Sequence, residues 1–263
     1  MKLKIEGLTC GYGSKIIVRD FSTSVESGDI LCLLGPNGVG KTTLFKSMLG
    51  FLKFKEGSIT LDGLDLGKLS RPELARLIGY VPQSNNPPFA FSVLDVVVMG
   101  RIAHLGMFGT PGKRDVEKAY EMLEQLQIAH LAENIYTELS GGERQMVMIA
   151  RALVQEPAFI MLDEPTASLD FGNQTKVLQR ILTLSKNGIG IIMTTHAPDH
   201  AFLCNGNVVL LKRGNTYLAG SAPEVLTEEN LTDAYGVKVH ITQGIINGET
   251  VQLCTPDMNI ITN

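Results

Sequence analysis

Gly35, Gly40, Lys41 and Thr42 fit the spacing G-x-x-x-x-G-K-[ST], which binds polyphosphates. Glycine lets the backbone wrap closely around an anion and turn its N–H groups inward. Pro36, Asn37, Gly38, Val39 and Thr43 complete the loop. A helix that starts here adds the partial positive charge of its first turn. Lys41 can reach the β- and γ-phosphates, and the Thr42 hydroxyl can ligate Mg²⁺.

Two further stretches end in reactive groups. Phe159, Ile160, Met161 and Leu162 precede Asp163 and Glu164. A buried strand that delivers acids at its C-terminal end can hold Mg²⁺ through Asp163 and present Glu164 to an attacking water. The bland reading is a strand that ends in a solvated acidic turn. Residues 189–195 form a second apolar run, closed by His196. A histidine there is either structural or placed at the same sheet edge as Asp163. Ser140, Gly141, Gly142 and Glu143 open another helix. Ser140 and Glu143 suffice as a capping box. Two glycines in a first turn cost helix propensity, so they point to a phosphate approaching bare backbone. Tyr12, between Gly11 and Gly13, is an ordinary loop aromatic or a platform for a stacked base.

The elements that must carry these groups follow from periodicity. Residues 1–30 are β-rich, and 57–62 alternate as a strand. The spacing predicts a short helix over 72–77 and a strand from Ile78 that ends at Gln83. Asn85, Asn86, Pro87 and Pro88 mark 84–91 as a loop. Helical periodicity then runs from 92 to about 131, with Val116, Ala119, Tyr120, Leu123 and Leu126 on one face. Glycines punctuate 100–112. A helix spans 173–184. Residues 208–211 and 216–219 flank a hairpin turn, and Ser221 caps a helix that Gly236 ends. Asn247-Gly248 marks a terminal hairpin.

Composition weighs against several classes. The 263 residues are 44% hydrophobic with a net charge of -4, globular and without the basic surface a nucleic-acid partner wants. No signal peptide opens the chain, and no run approaches the roughly 20 apolar residues that span a bilayer. Cys10, Cys32, Cys204 and Cys254 are scattered, as buried thiols would be.

Taken together, the motifs resemble the ATP-binding cassette of ABC transporters over nearly all of residues 1–240. Residues 35–43 match Walker A, Gln83 the Q-loop and 139–145 the LSGGQ signature, with Glu143 as a common variation. Residues 159–163 with Glu164 match Walker B and its catalytic acid. Residues 168–170 match the D-loop, His196 the H-loop and Tyr12 the adenine-stacking A-loop. Residues 92–101, 169–174 and 194–196 look like the ATPases of iron-siderophore, haem and vitamin B12 importers, a pattern molybdate importers share. A ribosome- or DNA-acting ABC ATPase and an exporter subunit are the alternatives.

The resemblance implies an α/β fold. Its P-loop NTPase core is a RecA-like mixed sheet with an antiparallel β subdomain, and a helical subdomain of about 84–151 is inserted in it. Residues 1–240 would be the cassette and 241–263 a hairpin-like tail. ATP and Mg²⁺ are the implied cofactors, with Thr42, Gln83 and Asp163 around the metal. Two copies would sandwich ATP between the loop of one and Ser140, Gly141 and Gly142 of the other. Glu164, His196 and Lys41 would carry the hydrolysis. Transmembrane permease subunits would be direct partners at the cytoplasmic face of the membrane, and a substrate-binding protein an indirect one. The permease would dock on 84–112, where Pro87, Pro88, Phe89, Phe91, Met107 and Phe108 give apolar cover, unless these residues pack the helical segment.

Overall fold

The computed structural model describes residues 1–83, 90–105, 109–246 and 248–258. Its centre is a six-stranded sheet. In spatial order it runs β10 (Thr216–Ser221), β9 (Asn207–Lys212), β3 (Ile30–Leu34), β8 (Gly190–Thr194), β7 (Phe159–Asp163) and β6 (Ile78–Val81). All neighbours pair in parallel except β10 with β9, which form a hairpin. A four-stranded antiparallel sheet lies against it, in the order β2 (Lys15–Glu26), β1 (Lys2–Tyr12), β4 (Glu56–Leu61) and β5 (Leu64–Asp65).

The central strands read as unbroken apolar runs because both faces are covered. Their period of two then sorts each strand between two cores. In β3, Leu31 and Leu33 join the core toward the antiparallel sheet, while Ile30, Cys32 and Leu34 join the other. β7 divides the same way, with Phe159 and Met161 on one side and Ile160 and Leu162 on the other. The first core also takes Leu44, Phe45 and Met48 of α1 (Lys41–Met48).

The second core continues into the helical segment. It collects Val93, Val96 and Val97 of α3 (Val93–Val98), Ala119 and Leu123 of α4 (Lys113–Gln125), and Val147 and Ile149 of α5 (Gly141–Leu153). Leu126, just past α4, joins them, but Val116 and Tyr120 are exposed. The expected five-residue face of α4 is therefore narrower, because one seam at i, i+4 and i+7 suffices to meet α3 and α5. Buried Arg101 clamps the segment. Its guanidinium meets Asp115 at 2.9 Å and Glu156 at 3.2 Å and donates to Val154 O at 2.9 Å. Arg101, first by its hydrogen bond, holds the Asp115 carboxyl below its usual range.

Several boundaries differ from the sequence expectation. β6 stops at Val81, not Gln83, because Pro82 has no N–H for a ladder. The helix expected from Ser221 to Gly236 is two, α8 (Ala222–Val225) and α9 (Glu228–Tyr235). Thr227 breaks it, being extended and accepting Asn230 N–H at its side chain as a new N-cap. α6 runs longer than expected, Phe171–Lys186, capped by Asp170. α2 is Arg71–Leu77 and α7 is Pro198–Leu203. β11 (Val239–Ile246) and β12 (Glu249–Pro256) pair as the terminal hairpin. Pro87, Pro88, Phe89, Met107 and Phe108 lie outside the described residues, while Phe91 packs partly buried against the second core.

Gly190 begins β8 opposite Phe159, and a Cβ there would collide with the Phe159 ring. Gly190→Ala should lower stability by roughly 1–3 kcal/mol, the cost of overpacking. A urea melt should show a lower midpoint at unchanged slope. An unchanged midpoint would mean that the ring moves aside without strain.

Candidate functional site

Register sets the level at which the strands end. Leu33 pairs with Thr194, Asp163 with Thr194 and Val81 with Leu162. The loop of residues 35–43, Gln83, Glu164 and His196 each follow one of these strands, so they gather at one carboxyl edge of a parallel sheet.

In the loop, Gly35 has φ 141° and Gly40 φ 119°. A Cβ on Gly35 would run into Leu211 O, and one on Gly40 would meet Val18. Lys41 is 6% exposed; its Nζ donates to Gly35 O at 2.6 Å and to Pro36 O at 3.2 Å. Burial lowers its pKa, and the charges of Glu164 and Asp163 act the other way. The amine is thus held inside its own loop, close to both acids. Thr42 is exposed and Thr43 buried. Asn37, Gly38 and Val39 line a cleft of about 360 Å³ with Lys15 and Arg213. Tyr12, read as a loop aromatic or a stacking platform, is the last residue of β1 and is 49% exposed.

Asp163 is 7% exposed and accepts Thr194 Oγ1–H at 2.7 Å. The same hydroxyl oxygen accepts Glu164 N–H at 2.8 Å. Glu164 has φ 51°, a left-handed backbone that costs a non-glycine residue on the order of 1–3 kcal/mol. Thr194 helps hold that turn, and with it the direction of the Glu164 side chain. Glu164 Oε2 accepts Gln83 Nε2–H at 2.6 Å and lies 2.9 Å from His196 Nε2. Gln83, Glu164 and His196, expected from separate stretches, therefore meet at one carboxylate. They line a cavity of about 420 Å³ together with Thr166, Ser168 and His200. Burial lowers the His200 pKa, favouring its neutral ring, and Nδ1 lies 3.2 Å from Thr195 Oγ1 and 3.3 Å from Thr166 Oγ1.

Sequence reasoning left Thr194 without a part. Its signal was a pair of hydroxyls, Thr194 and Thr195, closing an otherwise apolar run.

At the start of α5, Ser140 Oγ accepts Glu143 N–H at 3.4 Å and Glu143 Oε2 accepts Ser140 N–H at 2.8 Å. The capping box is present as expected. Gly142 also answers to packing, because a Cβ there would collide with the Asn173 side chain of α6. Gly141 lines a cavity with Gln83, Ser168 and Leu169. That cavity and the cleft at Asn37, Gly38 and Val39 share no lining residue.

Comparisons with known proteins identify the family. A family model described as ABC transporter matches residues 18–167. An uncharacterised ABC transporter ATP-binding protein of Haemophilus influenzae is 44% identical over 235 residues, 89% of each chain. A probable iron chelatin transport ATP-binding protein of Helicobacter pylori is 38% identical, covering 89% of this chain and 93% of its own. A molybdate import ATP-binding protein of Haemophilus influenzae is 37% identical, covering 88% and 86%. Among solved structures, an inward-facing putative metal-chelate type ABC transporter superposes with a TM-score of 0.86 at 34% identity, covering 97% of this chain and 96% of its own. The likeness runs through both sheets and the helical segment and is not confined to the loop. The chain therefore belongs to the ABC transporter ATP-binding family, whose members hydrolyse ATP to power transport.

Proposed function

We propose that this chain is the ATPase of an importer, and that Glu164 polarises the attacking water. The observation that carries this is the Glu164 carboxylate, fixed by Gln83 and His196 directly after buried Asp163. Both neighbours reach Oε2, so Oε1 is left to accept from a water. Lys41 stabilises charge that develops on the γ-phosphate, exchanging the carbonyls of Gly35 and Pro36 for phosphate oxygens. His196 contacts the same phosphoryl group. Residues 35–43 wrap the phosphates, and Tyr12 stacks on the adenine.

The oxygen donors fit Mg²⁺. Asp163 commits one carboxylate oxygen to Thr194, Thr42 offers an exposed hydroxyl, and Gln83 keeps its amide oxygen. Among the described residues no group of three or more His, Cys, Asp or Glu could hold a metal alone, which suits an ion shared with substrate phosphates. When bound, the ion would neutralise charge on the phosphates. The protein's part is to hold the oxygens that receive it.

Residues 1–240 act as the cassette, with 84–151 as its inserted helical part and 241–263 as an appended tail. The Ser140, Gly141 and Gly142 segment completes the site of a second copy. Permease subunits dock over 84–112, which follows Gln83 directly, and hold the chain at the cytoplasmic face of the membrane. A binding protein joins through those subunits. Among the described residues no helix is long and apolar enough to cross a membrane, so a transport function needs such partners. The solute is a metal chelate such as an iron-siderophore, haem or cobalamin. The iron chelatin relative and the metal-chelate type structure support that reading. The molybdate relative supports the second reading, an oxyanion.

Glu164→Gln should retain ATP binding and lose roughly 10²–10⁴-fold in turnover, the scale of a lost general base. Wild-type turnover in this variant would overturn the assignment. Lys41→Ala and Ser140→Arg chains should each be inactive alone, and mixing them should restore one working site per mixed dimer. If the mixture stays as inactive as its parts, the site is not shared. With the membrane subunits in vesicles, metal chelates should stimulate ATPase and oxyanions should not. Stimulation by molybdate alone would select the second reading.

A further inference from the structure

The C-terminal part of the chain has no role in the site described so far, yet it touches the segment that carries His196 at two places. Tyr235, the last residue of α9, directs its phenol OH to His196 O at 3.4 Å. Cys254 of β12 donates its N–H to Asp199 Oδ1 at 2.7 Å, in the first turn of α7. We propose that α9 and the β11–β12 hairpin position His196, with Tyr235 holding its carbonyl and the Asp199–Cys254 bond anchoring the helix that follows it. This inference rests on the reading of His196 as the γ-phosphate contact.

The His196 side chain is only partly covered by its neighbours. It is 47% exposed, and Glu164 is the partner its ring reaches. Its direction therefore depends on its backbone as well as on Glu164. Before it, Thr195 N–H donates to Leu33 O at 3.1 Å, tying that side to β3. After it, Ala197 N–H bonds only locally, to Thr195 Oγ1 at 3.1 Å. On that open side Tyr235 and Cys254 add long-range anchors to the one His200 makes with Thr166 Oγ1. Burial pushes the Tyr235 phenol up to about 12, while the Gly35 backbone acts against it. The phenol stays a protonated donor at neutral pH, set between the phosphate loop and His196.

The tail is itself fastened to α9. Ile241 N–H donates to Glu228 Oε1 at 2.8 Å and Val239 N–H to Thr232 Oγ1 at 3.1 Å. Ile241 and Cys254, paired across the hairpin, pack against the second core. Tyr235 and Cys254 thus act as one rigid unit, and a hydrogen bond made by a rigid partner restricts α7 more than one made by a free tail.

The test uses the full chain. Tyr235→Phe and Asp199→Ala should each lower kcat for ATP hydrolysis about 3- to 10-fold, the scale of one lost hydrogen bond. In Asp199→Ala, which touches no residue of the phosphate loop, KM for ATP should stay within about twofold. Asp199→Asn, which keeps an acceptor oxygen, should restore turnover. In a His196→Ala background neither substitution should lower kcat further, because both act through His196. Amide exchange over 195–203 should rise in Tyr235→Phe and Asp199→Ala. Equal losses in the His196→Ala background, or an equal rise in KM in Asp199→Ala, would make the tail a stabilising element only and overturn the proposal. Unchanged exchange over 195–203 would overturn the tether itself. Full turnover in His196→Ala alone would instead overturn the reading of His196 on which the proposal rests.

Discussion

The parallel register of β6, β7, β8 and β3 is the constraint on which the site depends. Each strand is buried on both faces, so its apolar residues cannot slip by one position without exchanging the two cores. Leu31 and Leu33 would then face the side that now takes Cys32 and Leu34. Register is therefore fixed by packing on two fronts. Once it is fixed, the first polar residue after each strand arrives at the same edge. Asp163 lies opposite Thr194, and Thr194 opposite Leu33. Chemistry at that edge follows from hydrophobic sorting several residues earlier.

Charge at the edge is arranged so that no group is buried without a partner. Lys41 lies among backbone carbonyls, Asp163 against a hydroxyl and Glu164 against an amide and an imidazole. Burying a charge without such partners would cost several kcal/mol. Each of these contacts can be exchanged for a phosphate or water oxygen of similar polarity. The left-handed turn at Glu164 adds strain, which the Thr194 hydroxyl helps to hold. One threonine thereby sets the positions of both acids, one by accepting a backbone N–H and the other by donating its proton.

Much of this was legible in the sequence, because phosphate loops and acid-ending strands have short, local patterns. Gly35, Lys41, Asp163 and Glu164 declare themselves by spacing, and Ser140 with Glu143 by the capping box. What could not be read is whatever depends on distant packing. The exposure of Val116 and Tyr120 follows from which seam of α4 meets α3 and α5. The break at Thr227 is a local cap inside a stretch whose end signals, Ser221 and Gly236, read as one helix. The meeting of Gln83, Glu164 and His196 at one oxygen spans more than a hundred residues of chain. Thr194 escaped because a β-branched residue in a strand needs no explanation until its hydroxyl is seen to have two partners.

The start of α5 shows how packing and chemistry can demand the same residue. Glycine at 141 and 142 weakens a first turn, and the sequence alone explains that weakness only by an approaching anion. Inside the chain, Gly142 already lies too close to Asn173 to carry a Cβ, and Asn173 is fixed by its hydrogen bonds to Asp170. Asp170 caps α6 and follows Ser168, whose backbone is left-handed. The bare backbone at α5 is thus tied to the turn that leaves Glu164. A shift in that turn must move Asn173, and Asn173 cannot move toward α5 without displacing the Ser140 segment. Small side chains here answer to packing inside the chain. They place two functional segments in van der Waals contact, so that neither can change position alone.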